Sequence, residues 1–294
     1  MKKILKNQKG FSVVELFIIL IVLAGLVGAG YYVFNKQHNK TDTKSSTSKS
    51  DSKVTWTRGG SGWQAEDTPP ACNDPLVIKS PTDVSQAISI LYPGQYRGGN
   101  YKPHGGFRFN DNLNDKISVS LPMDAKLYKG SRYIEQGETQ YLLVFINPCG
   151  IMFKFDHLYT LTPTYQKIVD ENFPAAKEND SQTTNLTKDI EAKAGDVIAT
   201  GIGFKKTGNT AFDFGVYDLR ARNEISKNTN WASLHKDDNE YAPYAVCWLN
   251  ILPSTDSAKV KALPAADGLS GAISDYCATS AGNTLTNTVG NPSS

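Results

Sequence analysis

The chain is poor in the residues that announce most soluble enzymes. It has four histidines and four cysteines among 294 residues, and no two cysteines form a C-x-x-C pair. That spacing excludes zinc-ribbon and thioredoxin-type readings. No charge dominates either, since 31 Lys and Arg against 29 Asp and Glu leave a net +2. No stretch concentrates basic residues into a face, so no nucleic-acid partner is expected. The most complete absence is local. Residues 35–53 read NKQHNKTDTKSSTSKSDSK, without one large apolar side chain. Such a segment has nothing to bury, and a flexible linker with a reach of roughly 25 Å is predicted there.

What precedes the linker is its opposite. Residues 11–34 are apolar apart from Ser12, Glu15 and a few small or aromatic positions. As a helix this stretch is about 36 Å long, against a hydrocarbon core of about 30 Å. A single-pass transmembrane helix is predicted. Lys2, Lys3, Lys6 and Lys9 precede it with no acid among them, which favours an N-terminus kept inside the cell. A secretory signal would carry a shorter apolar run, with its cleavage site after it. The carboxylate of Glu15 needs a partner, because a charge near the centre of a span costs roughly 2.5–3.5 kcal/mol and somewhat less near an end.

The segment KGFSVVEL at 9–16 resembles the type IV prepilin processing motif. The resemblance implies a leader at 1–10 and cleavage after Gly10 by a prepilin peptidase. It also implies a methylated Phe11 at the mature N-terminus. Glu15 becomes the fifth mature residue, and the family pairs it with the terminal amine of a neighbouring subunit. The likeness covers residues 1–34. A standard pilin continues its first helix into a small head, whereas here the polar linker follows at once. A minor, tip or membrane-retained subunit therefore fits better than a major filament subunit. The expected location is the bacterial cytoplasmic membrane or a pilus, with the globular part outside. The implied partners are the membrane, other pilin-like subunits and peptidoglycan.

Residues 54–278 are expected to form a β-rich globular domain, followed by a loose tail at 279–294. Apolar alternation predicts strands at 116–121, 140–146, 151–155, 196–202 and 211–217. Val84, Ala87, Ile88 and Leu91 fall at helical spacing behind Thr82 and Asp83 as caps, which predicts a helix. A second helix is predicted at 164–172 and a surface loop at 181–188. The fold class is mainly β with minor helices. Cys72, Cys149, Cys247 and Cys277 all follow the apolar span. Outside the cell such cysteines pair, and at least one disulfide is expected. Three full pairings are open.

The order of several segments in 103–218 resembles the lysostaphin-type zinc metallopeptidases, which cut peptidoglycan cross-bridges. Here the series is HGGFR at 104–108, VSLPMDA at 119–125, FDHL at 155–158, AGDVIATG at 194–201 and AFDF at 211–214. The family's zinc is held by the histidine and aspartate of H-x-x-x-D and by the second histidine of H-x-H. Carried over, His104 keeps the first ligand, Arg108 replaces the aspartate and Asp213 replaces the third ligand. Ala211 stands where the general-base histidine belongs, and His157 keeps the histidine that faces the reacting carbonyl. Arginine offers a metal no lone pair and stays cationic. Two ligands bind metal weakly, and without a base the water is not activated. The expectation is therefore a pseudo-metallopeptidase with no catalytic residue, no metal and no cofactor, in which Arg108 and Asp213 pair where the metal would sit.

Other aromatic and basic residues are read as packing. Tyr92, Tyr96, Arg97 and Tyr101 would fold their glycine-rich loop onto the domain. Trp56, Trp63, Trp231 and Trp248 would be core or partly buried, and His38 and His235 have no companion. Three functions compete. The first is a non-catalytic surface module that binds cell-wall material or a protein partner. The others are an active zinc peptidoglycan endopeptidase with altered ligands, and a purely structural pilus or secretion subunit.

Overall fold

The computed structural model describes residues 54–278. The leader, the apolar span, the linker and the tail, with Gly10, Phe11, Glu15 and His38, lie outside the described residues. Among the described residues no helix is long and apolar enough to cross a membrane.

The strands in chain order are β1 (Trp56–Gly59), β2 (Gly62–Ala65), β3 (Ala87–Leu91), β4 (Gln95–Arg97), β5 (Asn100–Lys102), β6 (Gly105–Phe109) and β7 (Val119–Ser120). They continue with β8 (Ala125–Glu135), β9 (Glu138–Ile146), β10 (Ile151–Leu161), β11 (Thr184–Asn185), β12 (Glu191–Ala192), β13 (Val197–Ile202) and β14 (Ala211–Asp218). Ten of them form one sheet, in the order β11-β8-β9-β10-β14-β6-β3, with β12 on β8, β13 on β10 and β7 on β13. β1–β2 and β4–β5 are separate hairpins. The domain is mainly β, as read from its alternating segments.

The turn between β8 and β9 holds Gln136 and Gly137 at φ 52° and 71°. Two successive positive φ values give the two-residue hairpin whose twist matches its strands. Asn147 opens the next turn, its side chain accepting from Cys149 N at 2.7 Å. Cys72–Cys149 ties the N-terminal segment to this turn, and Cys247–Cys277 ties two segments beyond the sheet. Both bridges satisfy the expectation of at least one and select one of the three pairings.

Period-2 placement gives the sheet two different faces. On one, Phe107, Phe109, Phe145, Phe153, Phe155, Phe212 and Phe214 are each at most 1% exposed. Their rings interlock, with Phe155–Phe214 centroids 5.3 Å and Phe107–Trp248 centroids 4.8 Å apart. Full burial of each such side chain is worth about 1.5–3 kcal/mol, so this layer is the main core. On the other face Leu142, Val144, Ile146, Met152 and Tyr217 pack beneath Trp56, Trp63 and Tyr244. The four tryptophans are all buried, as expected.

Three local readings need correction. The residues at 84–91 are a short 3-10 turn, Val84–Gln86, and then β3. Asp83 does cap the turn, accepting from Ser85 N. Pairing of Ala87–Leu91 with β6 then overrides the helical spacing, and the β-branched Ile88 and Ile90 suit the strand. The strand read at 116–121 shrinks to Val119–Ser120. The loop read at 181–188 contains β11, and Leu186 packs against the main core. The predicted helix at 164–172 is Pro163–Asn172.

Candidate functional site

The polar residues of the site stand on the second face, where β10, β14 and β6 run side by side. Register places Asp156 opposite Asp213, Asp213 opposite Gly106, and Ala211 opposite Arg108. Residues two apart share a face. His104 stands one step before β6, so sequence order delivers His104, Arg108, Ala211 and Asp213 to one side of the sheet. Gly106 lets the Asp213 carboxylate lie over the β6 backbone, because a Cβ there would sit 2.6 Å from Phe212 O and 3.3 Å from Asp213 Oδ1.

His157 arrives by a different device. β10 breaks register on both sides of it, and its φ of 57° is left-handed. A bulge of this kind re-aims a side chain. Here it brings two consecutive residues, Asp156 and His157, to the same cluster. The Asp156 carboxylate accepts from His157 N at 2.9 Å and from the Tyr133 hydroxyl at 2.7 Å. A left-handed non-glycine residue costs of order 1–3 kcal/mol and is held only where its surroundings fix it. Gly203 N does part of that, donating to His157 O at 2.7 Å.

Asp213 is the hub. Its Oδ2 lies 2.9 Å from His104 Nε2 and 3.8 Å from His157 Nε2. The far side of His157, Nδ1, faces Tyr133 OH at 3.4 Å and Glu135 Oε2 at 3.9 Å. Burial alone would raise the Asp213 carboxyl. The charge and hydrogen bond of His104, then His157 and Lys154, outweigh it and hold the group well below the usual carboxylate range. Burial pushes His104 the other way for a base, below its ordinary value, with Asp213 opposing. The 2.9 Å contact is a hydrogen bond in which His104 Nε2–H donates to the Asp213 carboxylate. The three side chains form a chain through one oxygen. Among the described residues no group of three or more His, Cys, Asp or Glu surrounds a point that could hold a metal ion.

The expected Arg108–Asp213 ion pair is not formed. Asp213 is engaged by the two imidazoles, and among the described residues no carboxylate lies within 4.0 Å of Arg108. Its Nε is buried without a hydrogen-bond partner. Register explains the miss, since Arg108 is paired with Ala211 and Asp213 is two pairs further along.

A segment from the C-terminal third roofs part of this face. The Tyr241 ring packs 4.9 Å from Tyr217, with Lys129 and Lys154 Nζ 5.2 and 5.8 Å from its centroid. Asp238 is pushed up to about 6 by burial, with Lys154 opposing. Two surface cavities lie away from the cluster, one beside Arg132 and Lys177 and one beside Thr139 and Tyr159. Neither cavity is lined by His104, His157 or Asp213.

These shifts set opposite slopes of stability against pH. His104 titrates lower when folded, so its contribution falls as pH drops below about 6.5, the unfolded value. Asp238 titrates higher when folded, so its contribution is complete below about 4 and is lost as pH rises through about 6. Urea midpoints between pH 7 and 5 are expected to decline less in His104→Gln than in the parent, and more in Asp238→Asn. Parallel curves for all three proteins would remove both assignments.

Sequence reading missed Tyr133, Lys154 and Glu135. Asp156 stood inside the quoted FDHL segment without a role. Tyr133 had no local signal, because β8 carries Lys129, Gly130 and Ser131 where apolar alternation would continue. Arg97 does pack its loop, donating to Tyr92 O at 2.5 Å and to His104 O at 3.0 Å. His235, expected to stand alone, lies 3.8 Å from Tyr101 and 4.4 Å from Trp231, centroid to centroid. Tyr96 stands out from this group with 60% of its surface exposed.

No family model and no curated protein matches the chain. Among solved structures it is similar to Csd3 of Helicobacter pylori, at 10% identity and a TM-score of 0.30, over 63% of this chain and 46% of that one. The chain thus spans under half the length of that protein, and a likeness of this degree carries no argument about function.

Proposed function

We propose that this chain is an outward-facing bacterial surface protein, membrane-anchored or pilus-associated, whose globular part is a non-catalytic module with a lysostaphin-type peptidase-like core. The N-terminal motif supports cleavage after Gly10 and anchoring by residues 11–34, and a mature chain beginning at methylated Phe11 is the mark of that processing. The two disulfides support an oxidising compartment.

One observation carries the loss of catalysis: register sets the cation Arg108 opposite Ala211 on the sheet face that holds His104 and Asp213. Catalytic zinc takes three protein ligands at about 2.0–2.2 Å and keeps a fourth position for water. His104 and Asp213 supply only two such donors. Arg108, a permanent cation, stands at the position of the missing carboxylate, and Ala211 supplies no base. The residues present do not fit a catalytic zinc, and no hydrolytic step is derived. The module binds cell-wall material instead. The exposed Tyr96, backed by Tyr101 and His235 at 5.4 and 6.0 Å, supplies an aromatic face suited to a sugar ring.

The test is the metal content of the full chain, purified without chelators and then offered zinc. Far less than one zinc per chain is expected, unchanged in His104→Ala. Stoichiometric zinc that His104→Ala abolishes would overturn the reading. The same preparation is expected to co-sediment with insoluble peptidoglycan, and Tyr96→Ala to weaken this severalfold. Protein left wholly in the supernatant would remove the binding half.

A further inference from the structure

The ladder between β9 and β10 ends early. Their last pair is Tyr141 with Leu158, although β9 begins at Glu138 and β10 runs on to Leu161. Beyond that pair β10 continues on β13, and a register shift between Leu158 and Thr160 makes Tyr159 the extra residue of a bulge. A bulge bends its strand, so β10 parts from β9 and the sheet forks. A cavity of about 420 Å³, open to solvent, lies in the fork. Glu138 and Thr139 line it from the β9 arm, and Tyr159 and Thr160 from the β10 arm. Gln166 of the helix Pro163–Asn172 and Lys206 of the turn after β13 complete it.

The volume falls in the range of small-molecule sites, about 300–1,000 Å³. The charges at its wall are already engaged. Both Glu138 oxygens accept from Lys206 N, at 3.1 and 3.3 Å, and Lys206 Nζ donates to Gly137 O at 2.6 Å. One carboxylate and one ammonium leave no net charge for an ionic ligand. The neutral groups are open instead. Gln166 Nε2 donates to Asp170, which leaves its Oε1 to the cavity. The hydroxyls of Thr139, Tyr159 and Thr160 make no hydrogen bond to another described residue, and all three residues are half-buried or exposed. A hydroxyl both donates and accepts, so three of them match a ligand that does the same at several points. The Tyr159 ring adds an apolar plate with a polar edge. A sugar ring has both properties, hydroxyls at its rim and C–H groups on its faces. An extended peptide suits the fork less, since only Glu138–Gln140 of β9 lies beyond the last pair with β10.

We infer that the fork between β9 and β10 is a binding site for a neutral sugar unit. Tyr159 is the platform on which the ring lies, and Thr139, Thr160 and Gln166 meet its hydroxyls. The site shares no residue with the aromatic face at Tyr96, so it goes beyond the reading given above and stands without it.

The full chain in detergent micelles, labelled with nitrogen-15 threonine, is titrated separately with cellobiose, N,N′-diacetylchitobiose, trialanine and inorganic phosphate. The Thr139 and Thr160 amide resonances are identified by their loss in Thr139→Ser and Thr160→Ser. At least one of the two disaccharides is expected to move both saturably, with a dissociation constant of about 0.1–10 mM. Tyr159→Ala, checked for an unchanged melting temperature, is expected to weaken that sugar severalfold, and Tyr159→Phe, which keeps the ring, to weaken it less. Thr139→Val keeps the shape at the β9 arm and removes one hydroxyl, so it too is expected to weaken the sugar, as read on Thr160. Threonine resonances that neither disaccharide moves overturn the inference, and so do shifts that survive both Tyr159→Ala and Thr139→Val. Movement by trialanine or phosphate in place of the sugars would make the fork a peptide or anion site and overturns it as well. Failure to co-sediment with peptidoglycan sinks the reading at Tyr96, whereas silent threonines sink this site alone.

Discussion

Reduction of both disulfides is expected to lower the melting temperature of the globular part by about 10 °C or more. The chain-entropy argument assigns about 4.5 kcal/mol to the bridge that spans 77 residues and about 3.5 to the one that spans 30. Measured effects are usually about 2–4 kcal/mol each. A domain of this size shifts by about 2–4 °C for each kcal/mol. The pair Cys72→Ser with Cys149→Ser is expected to cost more than Cys247→Ser with Cys277→Ser. Its loop is longer, and it anchors the turn that feeds β10, the strand of Asp156 and His157. Scanning calorimetry of the oxidised, reduced and doubly substituted proteins checks the order. A reduced protein that melts with the oxidised one would mean the bridges only decorate a self-sufficient core.

Asp213→Ala is expected to destabilise the domain by about 2–4 kcal/mol, since breaking one side of a buried pair leaves the other unsatisfied. His104 would keep a buried Nε2 with no acceptor, and its side chain is only 9% exposed. Asp213→Asn keeps the shape and removes the charge, so a smaller loss is expected. His157→Ala should cost less than either, because His157 stands 3.8 Å from the carboxylate and is 24% exposed. Urea denaturation at pH 7 reads all three. If Asp213→Ala proves as stable as the parent, the hub is not structural, and its carboxylate serves a ligand instead.

Much of the sheet was legible because its strands follow the period-2 rule. The segments read at 140–146, 151–155 and 211–217 fall within β9, β10 and β14, and 196–202 overlaps β13 from Val197 on. β8 was not legible, since its interior face holds Lys129 and Ser131, which are buried by partners far along the chain. β3 was misread because its apolar spacing suits a helix equally well, and only the β6 partner decides. The site showed the same division. Residue identities at 104, 108, 157, 211 and 213 were plain, but which side chain meets which depends on a two-pair offset in register and on a bulge at His157. Those are properties of two strands at once, and no single segment contains them.

The two-faced sheet has a consequence for how the chain comes together. In β9 the run Leu142–Ile146 is buried on both sides, by phenylalanines on one and by Trp56 and Trp63 on the other. It is uncharged and strongly β-prone, the composition of an aggregation template when bare. The sheet's two covers are encoded at opposite ends of the domain, the tryptophan hairpin first and Trp248, which packs on Phe107 and Phe214, near the end. A nascent chain therefore carries a half-clad sheet until its last segment emerges. The C-terminal third, which adds no central strand, is the lid that makes the sheet soluble, so a fragment ending at β14 would hold the whole site and still precipitate.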